Sequence, residues 1–284
     1  MISMLRRSRR VGCALLIGCL WAISPAVAQP RPQQVASLNL CTDQLLLALA
    51  DRHQIASLSR LARDPSISFM AEQAAGLPLN EGGAEALLFS KPDLVLTGTY
   101  GQQERVAGLK RQGLDVLQLR PWSGLMEGRE QIRLLANRLG HADRGEALIA
   151  RIDSALDRAK DVVSNGRSLL VYERGGWVAA PRSPLSEVLM QMGFTLHQEV
   201  LGRTNGGVVR LEAIVADPPD FMLVDAGSQQ AIDNGTALFA HPALAAAVPH
   251  ERRLALPGRL TICGGPSTPA MIEALRDEVT SKLP

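Results

Sequence analysis

Residues 85–96 read EALLFSKPDLVL, and residues 212–223 read EAIVADPPDFML. Superposed without a gap, both carry Glu-Ala, two apolar residues, three variable positions, Pro-Asp, two further apolar residues and Leu. Glu85 and Glu212, Pro92 and Pro219, and Asp93 and Asp220 each lie 127 positions apart. The residue before a proline is pushed out of the α region, whereas proline is tolerated at the first position of a strand. Each copy therefore predicts a short helix, a tight turn and a buried parallel strand. The same phrase at one common offset predicts two α/β halves of related build.

Outward from the first copy, short apolar runs alternate with helical stretches. VASLNL (35–40), IASLS (55–59), DLVLTG (93–98) and DVLQL (115–119) read as strands, and 41–50 and 102–112 as helices. Strands separated by helices imply parallel pairing with helices on the faces. After Ser123, a candidate N-cap, Leu125, Ile132, Leu135 and Leu139 share a helical face that Gly140 is placed to end. A second stripe over 142–164, running from Leu148 to Val162, predicts a helix about 34 Å long. Alternation then resumes with strands in SLLVYE (168–173), FMLVD (221–225) and 254–256, and helices over 184–192 and 269–283. The fold class expected is α/β: two lobes with parallel sheets, 29–140 and 166–284, joined by a long helix within 141–165, with a cleft between them.

The first residues read as a secretory signal peptide: Arg6, Arg7, Arg9 and Arg10, an apolar run from 11 to 23, then small residues at Ala26 and Ala28. Cleavage after Ala28 leaves 256 of the 284 residues and exports the product from the cytoplasm. LIGC (16–19) is a rival lipoprotein box. The apolar run continues through Trp21 and Ile23, which argues against cleavage at Cys19. The signal holds four arginines and no acids, so 30 basic and 28 acidic residues become 26 and 28. That near-neutral balance offers no electrostatic case for nucleic acid. Two cysteines, Cys41 and Cys263, remain in an oxidising compartment, which is not a small-domain disulfide framework.

On VASLNLCTDQLLLALA, GGAEALLFSKPDLVL and its echo VRLEAIVADPPDFMLV, the chain resembles the periplasmic substrate-binding proteins of ABC importers for iron-siderophore, haem and cobalamin. The resemblance implies a ligand cleft between two lobes, and a monomer that serves a permease dimer with its ATPase. It also implies that Glu85 and Glu212 meet permease arginines, one on each lobe. Without the resemblance, either glutamate reads as a solvated charge at a helix N-terminus. An exposed ion pair is worth about 0–1 kcal/mol, so such a pair would orient more than bind.

Ligands of open α/β sheets bind beyond the carboxyl ends of the strands. The residues there are Asn39, Cys41, Arg60, Arg63 and Tyr100 in the first part, and Tyr172, Arg174, Trp177 and Cys263 in the second. Arginines suit anionic groups, and aromatic rings give flat apolar surface for a macrocycle or catecholate. Facing lobes would bring both thiols to the cleft. Three readings stand for them: separate buried small residues, placed first, an inter-lobe disulfide, or soft ligands to a metal in the cargo. No protein-bound cofactor is expected, and the cargo is expected to be a small metal chelate. The cobalamin receptors of the family that the chain resembles place aromatic residues shortly before each docking glutamate; the corresponding stretches here have none, so the resemblance implies an iron chelate rather than cobalamin.

No G-x-S-x-G, P-loop, H-E-x-x-H or G-x-G-x-x-G motif occurs, so no enzyme is expected. His53, His141, His197, His241 and His250 are dispersed, unlike a site for bare zinc or manganese. His197 beside Glu199 reads as a surface pair. A sensor or scaffold role without import is the reading from another functional class.

Overall fold

In the computed structural model, which describes residues 31–83, 87, 90–229 and 233–283, the apolar runs become short strands and the amphipathic stretches pack around them. The signal-peptide segment, Cys19 and Glu85 lie outside the described residues. The N-terminal half contains β1 (Val35–Ser37), α1 (Leu40–Leu49), β2 (Ile55–Ser59), β3 (Leu79–Asn80), β4 (Leu94–Gly98), α2 (Gln103–Arg111) and β5 (Val116–Leu119). Its strands are all parallel, in the order β3-β2-β1-β4-β5.

Helices α3 (Leu125–Leu139) and α4 (Ala142–Ala159) follow. The C-terminal half contains β6 (Ser168–Val171), β7 (Trp177–Val178), α5 (Pro184–Gln191), β8 (Thr195–Leu196), α6 (His197–Val200), β9 (Gly207–Val208), α7 (Leu211–Ala216), β10 (Phe221–Asp225), α8 (Pro242–Ala247), β11 (Arg253–Leu256), α9 (Gly258–Thr261) and α10 (Thr268–Lys282). The parallel order is β11-β10-β6-β8, and β7 pairs antiparallel with β9 as a side ribbon.

The repeated phrase occupies equivalent places in the two sheets. Its strands are β4 and β10, each hydrogen-bonded to the first strand of its half, β1 or β6. Its aspartates do equivalent work. Asp93 accepts from the backbone N–H of Gln33 at 2.6 Å and of Gln34 at 3.0 Å, just ahead of β1. Asp220 accepts from the N–H of Ser168 at 2.7 Å and its hydroxyl at 3.0 Å, where β6 opens. Each carboxylate thus satisfies strand-start donors that have no ladder partner, so both Pro-Asp pairs are explained by folding.

Side chains of a strand alternate between faces, and both sheets are covered on both. In the C-terminal half Leu169, Val171, Phe221 and Leu223 enter the main core, while Leu170, Tyr172, Met222 and Val224 enter a separate outer cluster. In the N-terminal half Val35, Leu94 and Leu96 face the main core, and Ala36 and Val95 an outer one. The main core runs without a break through both sheets, α3, α4, α5 and α10, so residues from Arg31 onward form one compact unit.

Two boundaries differ from expectation. Helix α4 stops at Ala159, about 27 Å from its start rather than 34 Å. Beyond it, Asp161 N–H donates to the carbonyl of Gln191 at 3.0 Å and Val163 N–H to that of Met192 at 2.8 Å. The apolar stripe continues past the helix because Val163 is buried as extended chain. Helix α3 takes Gly124, not Ser123, as its N-cap, and ends at Gly140 in the left-handed region, φ 78°. Among the described residues no helix is long and apolar enough to cross a membrane.

Candidate functional site

The carboxyl ends of both parallel sheets open onto two adjoining cavities. One, of about 580 Å³, lies at the ends of β1, β4 and β5 and is lined by Asn39, Tyr100, Arg120, Trp122 and the apolar Leu45, Leu61 and Ile67 among others. The other, of about 500 Å³, lies at the ends of β6, β10 and β11 and includes Glu173, Arg174, Asp225 and Leu260. Pro184, Thr261, Ile262, Cys263 and Gly264 line both, so they form a wall between two compartments of one cleft.

That wall is covalently joined to the opposite half. Cys41, in the first turn of α1, forms a disulfide with Cys263, 222 positions away, with Cα atoms 5.2 Å apart. The reading placed first for these residues, two separate buried thiols, is corrected. Thiolate ligation of a cargo metal falls with it, because each sulfur is bonded to the other.

In the N-terminal compartment Asn39 caps α1, its Oδ1 accepting from Thr42 N–H at 3.0 Å. Tyr100 is 80% exposed at the rim. The segment after β5 is pinned by Glu127 of α3, which accepts from Ser123 N–H at 2.9 Å, from the Ser123 hydroxyl and from Arg120 at 2.8 Å. The Ser123 bonds, with Arg120 nearby, hold the Glu127 carboxyl below its ordinary pKa. Pinning this segment fixes Trp122, whose ring lies between two glycines. A Cβ on Gly128 of α3 would come within 2.3 Å of Trp122 Cε3, and one on Gly264 within 2.5 Å. Gln102 and Gln131 line the same compartment, and each has a buried Oε1 without a protein partner.

The C-terminal compartment is more acidic. Burial, reinforced by the nearby Asp225 carboxylate, pushes the Glu173 carboxyl above its ordinary pKa. Arg174 lines this compartment and pairs with Asp233 at 2.8 Å. Among the described residues no group of three or more His, Cys, Asp or Glu side chains is placed to hold a metal ion.

The cleft lining therefore includes Asn39, Cys41, Tyr100, Tyr172, Arg174 and Cys263 of the expected residues and does not include Arg60, Arg63 or Trp177. Tyr172 is fully buried and stacks edge-on with Phe239, ring centroids 5.3 Å apart. Strand alternation turns its ring into the outer cluster. Arg63 donates to the carbonyls of Ala74, at 3.3 Å, and Leu77, tying down its own loop. Arg60 projects into solvent and meets Glu81 at 3.1 Å. Trp177, 48% exposed, pairs with Val208 on the side ribbon, away from either compartment. His197 is buried, not a surface residue, and bonds the Asp217 carbonyl at 2.8 Å.

Arg120, Trp122, Glu173 and Asp225 are cleft residues that sequence reasoning missed. A signal existed for all four: Arg120 and Trp122 follow the DVLQL strand, Glu173 ends SLLVYE and Asp225 ends FMLVD, where the strand-end rule applies as it did elsewhere. Glu212 is exposed in the first turn of α7.

Two parallel sheets presenting their carboxyl ends to one divided cleft define a ligand-binding protein of two α/β halves. Residues 35–259 match the periplasmic binding protein family, and the chain belongs to it. Among solved structures, the chain is similar to the periplasmic heme-binding protein RhuT from Roseiflexus sp. RS-1, with 22% identity, a TM-score of 0.70, and 88% of this chain and 97% of that one covered. It is also similar to the periplasmic heme-binding protein BhuT in complex with two hemes, with 21% identity, a TM-score of 0.70, and coverage of 90% and 100%. FhuD2 from Staphylococcus aureus gives 13% identity, a TM-score of 0.70, and coverage of 89% and 100%. Comparison with curated proteins returned no match.

Proposed function

We propose that this protein is the substrate-binding component of an ABC importer, and that it carries an iron chelate in the divided cleft to a permease dimer with its ATPase. The observation that carries the reading is the N-terminal compartment. It is largely apolar, about 580 Å³ in volume, with a few polar residues, Asn39, Gln102, Gln131 and Arg120, in its lining. That is the usual composition of a small-molecule site. A chelate brings its own donor atoms to the metal, so the walls need only shape, apolar area and a few hydrogen bonds. Arg120 at the rim suits an anionic group.

A haem is the second cargo class, and Tyr100 favours it. Of the two tyrosines in the chain it is the one exposed, and a phenolate is a suitable ligand for ferric iron, including that of haem. In this reading Glu85 and Glu212 are the two docking contacts for the permease. The segment 1–28 is the signal that takes the chain to the periplasm, and the protein works as a monomer.

The test is titration of the purified mature protein with hemin, a ferric siderophore and cyanocobalamin, followed by Trp122 fluorescence, together with mass spectrometry of ligand retained from its own periplasm. Saturable quenching by an iron chelate, lost on Trp122→Phe while Trp177→Phe retains it, supports the reading. No binding of any of the three, and no retained chelate, would overturn it. For docking, Glu85→Ala/Glu212→Ala is expected to keep ligand affinity and lose transport.

A further inference from the structure

The boundary between the two halves is tied at three places beside the cleft, by chemically different means. The Cys41–Cys263 disulfide links α1 to the wall residues after α9. Trp122, from the N-terminal half, is held against Gly264 of the C-terminal half, with no room for a side chain there. Leu125 N–H, one of the unsatisfied donors at the start of α3, donates to Glu187 Oε2 at 2.7 Å. Glu187 belongs to the first turn of α5, so a carboxylate of one half caps a helix of the other. Gly124 is buried, and a Cβ on it would stand 2.3 Å from Glu187 Oε1.

A single covalent tie leaves a pivot around itself. Contacts made by two other pairs of elements remove that freedom. We infer that the Cys41–Cys263 disulfide, with Trp122 and Glu187, acts as a positioning clamp of the binding site: it sets the width of the cleft before ligand arrives, so the halves do not close around cargo. The clamp rests on the cleft being the ligand site, as proposed above. It assigns the site to rigid chelates that fit a preformed space, because a preorganised site binds without an ordering step.

The experiment is hydrogen exchange on the ligand-free protein, read by mass spectrometry. It compares oxidised protein, protein reduced with a phosphine, Cys41→Ser/Cys263→Ala, and Glu187→Gln. Exchange reports local opening segment by segment. Reduction and the double variant are expected to speed exchange at least about tenfold at residues 124–126 and 263–268 through local openings insensitive to low urea, while β1, β4, β6 and β10, which exchange by global unfolding, speed up only by the loss of global stability and keep their urea dependence. Glu187→Gln is expected to speed the first turn of α3 alone. Unchanged exchange at the boundary, or a rise there with the same urea dependence as in the strands, would overturn the clamp, the second because the boundary would then open only with the whole fold. In a parallel arm, hemin titration is expected to show about tenfold weaker binding by the double variant, chiefly through faster dissociation. Equal affinity would refute the positioning role. If oxidised protein binds no hemin, the haem reading fails while the exchange result still decides the clamp.

Discussion

Replacing the disulfide by Cys41→Ser/Cys263→Ala is expected to lower stability by an amount that follows from its place in the chain. Alanine suits position 263 because Cys263 is 4% exposed, and a serine hydroxyl there would be buried. The bridge joins positions 222 apart. The chain-entropy relation for a loop of that length gives about 5 kcal/mol at 25 °C, by far the larger part from restricting the unfolded chain. Native disulfides deliver about 2–5 kcal/mol when removed, so the structure places this one near the top of that range. For a chain of this size each kcal/mol moves the midpoint by about 2–4 °C, giving a fall of roughly 5–20 °C. The assay is thermal unfolding by circular dichroism of oxidised wild type, phosphine-reduced wild type and the variant. Reduced wild type and the variant should unfold together, both well below oxidised protein. A variant that unfolds within about 2 °C of oxidised wild type would refute the reasoning, since no loop of this length can close without restricting the denatured ensemble.

Gly128→Ala should destabilise by about 1–3 kcal/mol despite the better helix propensity of alanine, because its Cβ would meet Trp122; denaturant melts and a shift in Trp emission report it. Tyr172→Phe should leave chelate titrations unchanged and stability equal or up to about 1 kcal/mol higher, because the buried hydroxyl has no protein partner. Asp220 is held below its ordinary carboxylate pKa, chiefly by the Ser168 N–H. Its contribution is therefore present above the unfolded carboxylate pKa and is lost as pH falls through the lower folded value. Asp220→Asn should flatten stability against pH in that acidic window, as read by urea melts across it, and an unchanged slope would count against the Ser168 bond.

The strands were legible because both sheets are buried on both faces, so DLVLTG and FMLVD stand out as near-continuous apolar runs between helical stretches. The end of α4 was not, because Val162 and Val163 continue its stripe after the backbone has turned to bond the Gln191–Met192 region. At the cleft, the strand-end rule located Asn39, Tyr100 and Arg174 but could not tell which side of the sheet a side chain leaves. That choice separates Val171, in the shared core, from Tyr172, in the outer cluster. Arginines were over-read for a related reason: a guanidinium can satisfy loop carbonyls, as Arg63 does, and nothing local in the sequence distinguishes that from a ligand contact. The disulfide had no local signal at all, because its partners meet only after both halves have folded.

The covalent loop closed by Cys41 and Cys263 encloses most of the folded chain. A protease that cuts one exposed turn anywhere between them leaves two fragments on a single covalent molecule, separable only by reduction. In a compartment rich in proteases, a nicked carrier of this kind stays in one piece, with both walls of its cleft still attached to each other.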